Sequence, residues 1–294
     1  MPLVPLDQIL DPAFEQRYGV AAFNIVNDLT IDAVLDAATE LDSPVILQTS
    51  LKTVKAAGAP QLYGVVRAFA DEVPVPVSLH LDHCPSREWV TTCLEAGWSS
   101  VLFDGSELTV EENVRETAAV VEEARAYGAL VEGELESVRG VEDGIGSDDG
   151  VVVHPTAVSA EFVERTGVYC FAPAIGTAHG LYLSRPELMP ERVTDLVGQV
   201  PIPMVLHGGT GLADAEFLDL IARGCAKVNI STALKIAFVD GNRSYLQANP
   251  AKHDPTSLLE HVRSSVKEVA RRHLELFGSA GKASAVAGTA GDVP

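Results

Sequence analysis

Residues 75–83 read VPVSLHLDH, an apolar run that closes on an acid and a histidine, and two later runs close in a similar way, PAIGTAHG at 173–180 and PMVLHGG at 203–209. Each has the length and residue types of a β-strand. His83, His179 and His207 therefore sit at three strand ends that are distant in sequence. They can share a metal only if the fold brings those ends together, and a parallel barrel does so because all its strands point their C-terminal ends at one face. Three imidazoles with an open fourth position suit a catalytic zinc, whereas structural sites usually close the tetrahedron with cysteines. One such histidine alone reads as a satisfied core or surface residue. Three in the same setting point to chemistry.

Outward from these runs, short β-rich segments alternate with longer segments of helical period, the pattern of repeated βα units. Eight strands are predicted: Val20 to Ile25, Pro44 to Ser50, Val75 to His83, Ser99 to Ser106, Ala129 to Ser137, Val168 to Gly176, Ile202 to Gly209 and Lys227 to Thr232. Helical stretches between them include Ala33 to Leu41, Arg87 to Ala96, Glu111 to Tyr127 and Ala215 to Arg223, with starts marked by Ser86, Thr109 and Asp214. The fold class expected is α/β, a single (β/α)8 barrel. An open doubly wound sheet competes, but AAFNIVNDLT at 21–30 lacks the glycine-rich phosphate loop expected after a first strand. Ser257 to Leu276 reads as added C-terminal helix. The barrel domain is assigned to 1–280 and an unpatterned, disordered tail to 281–294.

Composition narrows the function. The chain has 294 residues, 47% of them hydrophobic, and a formal charge of −20. That charge repels nucleic acid and acidic membrane surfaces. No apolar run approaches the roughly 18 residues that cross a bilayer, and the opening MPLVPLDQIL lacks the basic segment of a secretory signal. A cytoplasmic enzyme is expected. Its four cysteines lack CxxC spacing and are expected as free thiols.

The motifs AFNIVN (22–27), HLDHC (80–84), LFDGSEL (102–108), VEGELESVRGVEDG (131–144), AIGTAHGLY (174–182), LHGGTG (206–211), KVNISTALKIAF (227–238) and LFGSAGKA (276–283) occur in order along almost the whole chain. Together they resemble the class II, metal-dependent ketose-bisphosphate aldolases, of the fructose- or tagatose-bisphosphate type. The resemblance implies one catalytic divalent ion, zinc, held by His83, His179 and His207, with a monovalent cation as an optional companion. It places Glu134 near the metal as a neighbour or alternative ligand, and it implies a homo-oligomer, dimer or tetramer.

Asp82 precedes His83, and strict strand alternation would send the two side chains to opposite faces, so the strand must end or bend if both enter the site. By resemblance Asp82 handles the proton of the C4 hydroxyl in retro-aldol cleavage; the alternative is that it only orients a metal ligand. Glu132 and Glu134 alternate to the same side, which is costly in a barrel mouth unless a cation or hydrogen bonds compensate. Glu142 lies in GVEDGIGSDDG (140–150), which reads as a mobile acidic loop. The resemblance gives Glu142 the exchange of the enediolate carbon's proton, whereas the residues alone read as solvated surface.

Barrels commonly bind phosphate with the loops after strands seven and eight. The resemblance assigns Gly180, Gly208, Thr210, Ser231 and Thr232 to one phosphate of the substrate and Asn229 to the enediolate, with Asn24 and Ser50 as further substrate contacts. This chain has Tyr169 where relatives commonly carry an acid, and Ser231 where many fructose-type members carry Asp. Lys52 is open to two readings, a holder of the far phosphate or a carboxylate, or a solvated lysine. The activity expected is cleavage of fructose or tagatose 1,6-bisphosphate to dihydroxyacetone phosphate and an aldehyde. An aldolase for a deoxy-keto sugar acid phosphate and a non-catalytic sugar-phosphate-binding barrel are the alternatives.

Overall fold

A computed structural model describes residues 3–136, 153–180 and 187–284, with the backbone alone at 140–142 and 145–147. Its strands are β1 (Val20–Asn24), β2 (Val45–Ser50), β3 (Val77–Cys84), β4 (Ser100–Phe103), β5 (Leu130–Glu134), β6 (Gly140–Glu142), β7 (Ile145–Ser147), β8 (Cys170–Ala172), β9 (Met204–Leu206) and β10 (Cys225–Ile230). Eight of them close a parallel barrel in the ring order β1-β10-β9-β8-β5-β4-β3-β2, and β6 and β7 form an antiparallel pair outside it. The helices are α1 (Leu6–Gln16), α2 (Asp28–Glu40), α3 (Leu51–Ala57), α4 (Ala59–Ala70), α5 (Arg87–Ala96), α6 (Val110–Arg125), α7 (Thr156–Thr166), α8 (Pro190–Gln199), α9 (Asp214–Arg223), α10 (Thr232–Ala248) and α11 (Pro255–Leu276).

All eight expected barrel strands are present, but the reading from sequence carried several of them too far. The fourth to seventh were expected to reach Ser106, Ser137, Gly176 and Gly209, and they end at Phe103, Glu134, Ala172 and Leu206. Apart from Asp104, Glu136 and His207 the extra residues are small or apolar, and that composition mimics a strand. Helix starts follow side-chain chemistry. Ser86 accepts the Trp89 N–H, and Thr109 makes a reciprocal capping box with Glu112. Asp214, expected as a start signal, is instead the first helical residue of α9, preceded by Ala213, whose N–H donates to Glu216. The added C-terminal segment is one long helix, α11, packed on α2 and α10.

The barrel interior is graded. At its N-terminal end Leu6, Ile9, Leu10 and Ala13 of α1 plug the opening against Val20, Ile46, Cys170 and Val205. The strands bury both faces, the outer one against the ring of helices. Toward the C-terminal end the inward positions turn polar, with Asn24, Gln48, His80, Asp82, Glu132 and Lys227 all buried. A polar layer is thus set on an apolar plug.

Gly281 and Ala283 donate backbone hydrogen bonds to Leu41 and Asp42, and Ala283 is buried. Residues 285–294 lie outside the described residues. All four cysteines are free and buried, and among the described residues no helix is long and apolar enough to cross a membrane. Truncating the plug by Leu10→Ala should lower stability by about 2–5 kcal/mol, read from urea unfolding. An unchanged midpoint would show that α1 is not part of the core.

Candidate active site

The bend required of the third strand is present. His83 has φ 42°, in the left-handed region that non-glycine residues adopt at a cost, and the pairing of β3 with β4 shifts register between Leu81 and Cys84. Asp82 and His83 consequently both enter the mouth. His83 comes from β3, His207 follows β9, and His179 lies in the loop after β8. Their rings lie 5.0 Å (His83–His179), 4.7 Å (His83–His207) and 6.1 Å (His179–His207) apart between centroids. One nitrogen from each lies within 4.8 Å of the others, a separation a single ion can span.

The donor set fits a divalent cation. His83 Nδ1 meets Asp104 Oδ2 at 3.1 Å and Glu134 Oε2 at 3.3 Å, while its buried Nε2 has no hydrogen-bond partner among the described residues. His207 repeats the arrangement, with Nε2 on Glu132 Oε1 at 2.7 Å and an orphaned, buried Nδ1. A carboxylate on one ring nitrogen and an open second nitrogen is the usual arrangement of a metal-ligating histidine. Glu134 Oε2 is also orphaned, 3.7 Å from His207 Nδ1. Burial pushes the Glu134 carboxyl well above the usual range, and Asp104, Glu132 and Asp82 add to this against the pull of His83. Burial also disfavours a charged His83, but Glu134, Asp82 and Asp104 outweigh it and hold the imidazole well above its ordinary value. So many buried carboxylates around one point call for positive charge, which a cation supplies.

Asp82 is held by three side-chain amides. Asn24 Nδ2 donates to Oδ2 at 2.9 Å, Gln48 Nε2 to the same oxygen at 3.3 Å, and Asn229 Nδ2 to Oδ1 at 3.2 Å. Gln48 also donates to Asn24 Oδ1 at 2.5 Å, which fixes the Asn24 amide. Below them Lys227 Nζ donates to Asn229 Oδ1 at 2.8 Å and pairs with Glu132 Oε2 at 2.8 Å, where both side chains are wholly buried. Burial alone would raise the Glu132 carboxyl, but Lys227 and His207 hold it well below the usual range. His80, 3.5 Å from Glu132 and bonded to Ser100 at 2.9 Å, is driven by burial to about 3 and stays neutral. One connected set of polar contacts thus runs from His207 through Glu132, Lys227 and Asn229 to Asp82.

Sequence reasoning missed four parts of this network: Gln48, His80, Asp104 and Lys227. Gln48, His80 and Asp82 stand on adjacent strands with one inward phase, so the alternation in VSLHLD held a usable signal for His80. Lys227 had no such signal, since a lysine opening a strand reads as solvent-facing.

The remaining expected residues fall in two groups. Gly180 and Gly208 have φ 79° and 68°, and a Cβ on Gly208 would lie 2.5 Å from the Ala178 carbonyl oxygen, so glycine there lets the loop after β9 reach the loop carrying His179. Ser231 ends the linker into α10 with a buried hydroxyl that has no partner among the described residues, and Thr232 opens the helix. Thr210 lies in the loop with Gly208. Ser50, by contrast, caps α3 through the Thr53 N–H at 3.4 Å. The Glu142 side chain lies outside the described residues, as do Asp148 and Asp149. Tyr169, on the opposite side of the chain's alternation from Cys170, donates to Asp11 at 2.6 Å.

Fold and mouth together define a (β/α)8 barrel with a cluster of imidazoles and carboxylates at its C-terminal face that could hold a metal ion. The profile of the family described as class-II fructose-bisphosphate aldolase matches residues 4–282. The probable fructose-bisphosphate aldolase of Bacillus subtilis (strain 168) is 38% identical over 96% of this chain and 100% of its own length. D-tagatose-1,6-bisphosphate aldolase subunit GatY of Klebsiella oxytoca is 38% identical over 90% of this chain and 94% of its own. Among solved structures, the YdjI aldolase of Escherichia coli K12 superposes with a TM-score of 0.84 at 34% identity, covering 96% of this chain and 99% of that one. The chain belongs to the class-II fructose-bisphosphate aldolase family, a family of metal-dependent lyases.

The buried pair under the mouth yields a prediction. Lys227→Met should destabilise the fold by about 3–5 kcal/mol because it strands Glu132, and Glu132→Gln added to it should restore part of the loss. A double variant that loses the sum of the two single-variant losses, by urea unfolding, would show that the two charges are not coupled.

Proposed function

We propose that this chain catalyses the reversible aldol cleavage of a ketose bisphosphate, fructose 1,6- or tagatose 1,6-bisphosphate, to dihydroxyacetone phosphate and glyceraldehyde 3-phosphate. The observation that carries this reading is the placement of Asp82, held by three amides beside the imidazole cluster of His83, His179 and His207. A carboxylate so fixed is oriented to take a proton, and retro-aldol cleavage begins with removal of the C4 hydroxyl proton.

His83, His179 and His207 would hold one zinc-type ion, with Glu134 next to it. When bound, it supplies Lewis acidity toward the oxygens of the ketose half, where negative charge develops. Asp82 receives the C4 proton as the C3–C4 bond breaks, and it returns that proton in the synthetic direction. The amides of Asn24, Gln48 and Asn229 keep both its oxygens aimed, and Asn229 is the residue we place against the enediolate. Gly180, Gly208, Thr210, Ser231 and Thr232 are placed on the phosphate of the dihydroxyacetone half, supported by the orphaned Ser231 hydroxyl and the close approach of the two loops at Gly208. On family resemblance, Glu142 exchanges the C3 proton of dihydroxyacetone phosphate. Four buried free thiols support a reducing, cytoplasmic setting. The exposed apolar side chains of Val239 and Leu246 on α10 and Leu259 on α11 support a homo-oligomer.

Asp82→Ala separates binding from chemistry. It should keep bound metal and affinity for dihydroxyacetone phosphate while losing roughly two or more orders of magnitude in cleavage rate, the scale of a missing general base. A variant within threefold of the parent rate would reject the proton-transfer role.

A further inference from the structure

The three imidazoles are not held equally by their strands. His83 stands within β3 and His207 directly follows the last residue of β9, but β8 ends at Ala172, well short of His179. The segment from 173 to 179 must therefore take its position from contacts outside the barrel sheet. Glu136 supplies the first, since its Oε2 accepts the Ala174 N–H at 3.2 Å. Met189 supplies the second, with its N–H donating to the Ile175 carbonyl at 2.9 Å. Gly176 has φ 86°, and a Cβ there would lie 2.0 Å from the Glu187 carbonyl oxygen, so the two stretches lie directly against each other.

One ion pair governs both contacts. Glu136 Oε1 accepts from Arg192 Nη2 at 2.8 Å, and Arg192 lies in the first turn of α8, which Met189 immediately precedes. The same guanidinium donates through Nη1 to the His154 carbonyl at 2.6 Å, while the His154 N–H donates to Glu136 Oε1 at 3.0 Å. The Glu136 side chain is wholly buried and that of Arg192 is 12% exposed. A carboxylate shut off from water persists there because three N–H donors satisfy it, one of them cationic. Glu136 thus grips Ala174 directly and, through Arg192, the helix start that grips Ile175. Neither residue belongs to the imidazole and carboxylate groups gathered at the mouth, so the metal site itself does not account for the pair.

We infer that Glu136 and Arg192 are positioning residues for His179: the pair preorganises the segment that presents the third imidazole and so raises the affinity of the mouth for a divalent metal. The inference rests on the reading of His83, His179 and His207 as one metal site and adds what holds the least anchored of the three. An imidazole on a loose segment has to be ordered when the ion binds, at a cost in conformational entropy. A clamp formed on folding removes that cost from the binding step. Arginine suits the task because its planar fork reaches the Glu136 carboxylate and the His154 carbonyl together, whereas a lysine ammonium is a point charge without that geometry.

The test uses the full chain and reads zinc affinity by competition with a chelator, under conditions where each variant is folded. Arg192→Gln should weaken zinc binding by roughly tenfold, the scale of losing a group that orients a metal ligand, and Glu136→Gln should do the same. Arg192→Lys keeps the charge and gives a second reading in a less perturbed fold, with a smaller loss. Leu10→Ala, in the plug at the other end of the barrel, is the stability control and should bind zinc as the parent does. Placing Arg192→Gln in a His179→Ala background isolates the route. There the further loss should shrink to within about twofold, because the imidazole that the pair positions is gone, whereas in a His207→Ala background the roughly tenfold loss should persist. An Arg192→Gln chain within about twofold of the parent's zinc affinity, or an undiminished loss in the His179→Ala background, would overturn the inference alone. A parent chain that binds no zinc would overturn the metal reading and this inference with it.

Discussion

The ion pair between Lys227 and Glu132, 2.8 Å long and wholly buried, is the contact from which the mouth is organised. Each charge would cost several kcal/mol to bury alone, so the pair persists only because both partners are present and further bonded. Glu132 spends its other oxygen on His207, which leaves the second nitrogen of that ring open. Lys227 bonds the Asn229 carbonyl, which turns its amide toward Asp82. One pair therefore fixes a candidate metal ligand and a candidate proton-transfer residue together.

The fold supports this by grading the barrel. An apolar plug from α1 fills the N-terminal end and excludes water beneath the polar layer, which strengthens every charge interaction above it. The cost appears at the rim, where His83 takes a left-handed backbone so that two consecutive side chains face inward. Strain at such a point is what a site needing Asp82 and His83 side by side would require, since a regular strand alternates its faces.

Much of this was legible in the sequence. Eight apolar runs with helical spacers predicted the barrel, and the histidines at 83, 179 and 207 stood out because each closed such a run. The break in alternation at Asp82 and His83 was readable because period two admits no other way to place both inside. Other features were not. Lys227 joins Glu132 across the barrel, a contact no local pattern encodes. Helix α1 was hidden by the prolines at 2, 5 and 12, and the β6–β7 pair by a glycine-rich, acidic composition that reads as loop. Ser50 carried an expectation drawn from resemblance, and the structure shows it capping a helix, a role that does not exclude substrate contact.

The central claim is that three strand-end imidazoles gather one divalent metal at the face where Asp82 stands. X-ray absorption at the zinc edge of the purified, zinc-loaded chain tests it most directly. The account predicts one zinc per chain with histidine nitrogens at about 2.0–2.1 Å and no sulfur scatterer. Zinc–sulfur scattering near 2.3 Å, or a fully active chain that holds no metal after chelation, would contradict it.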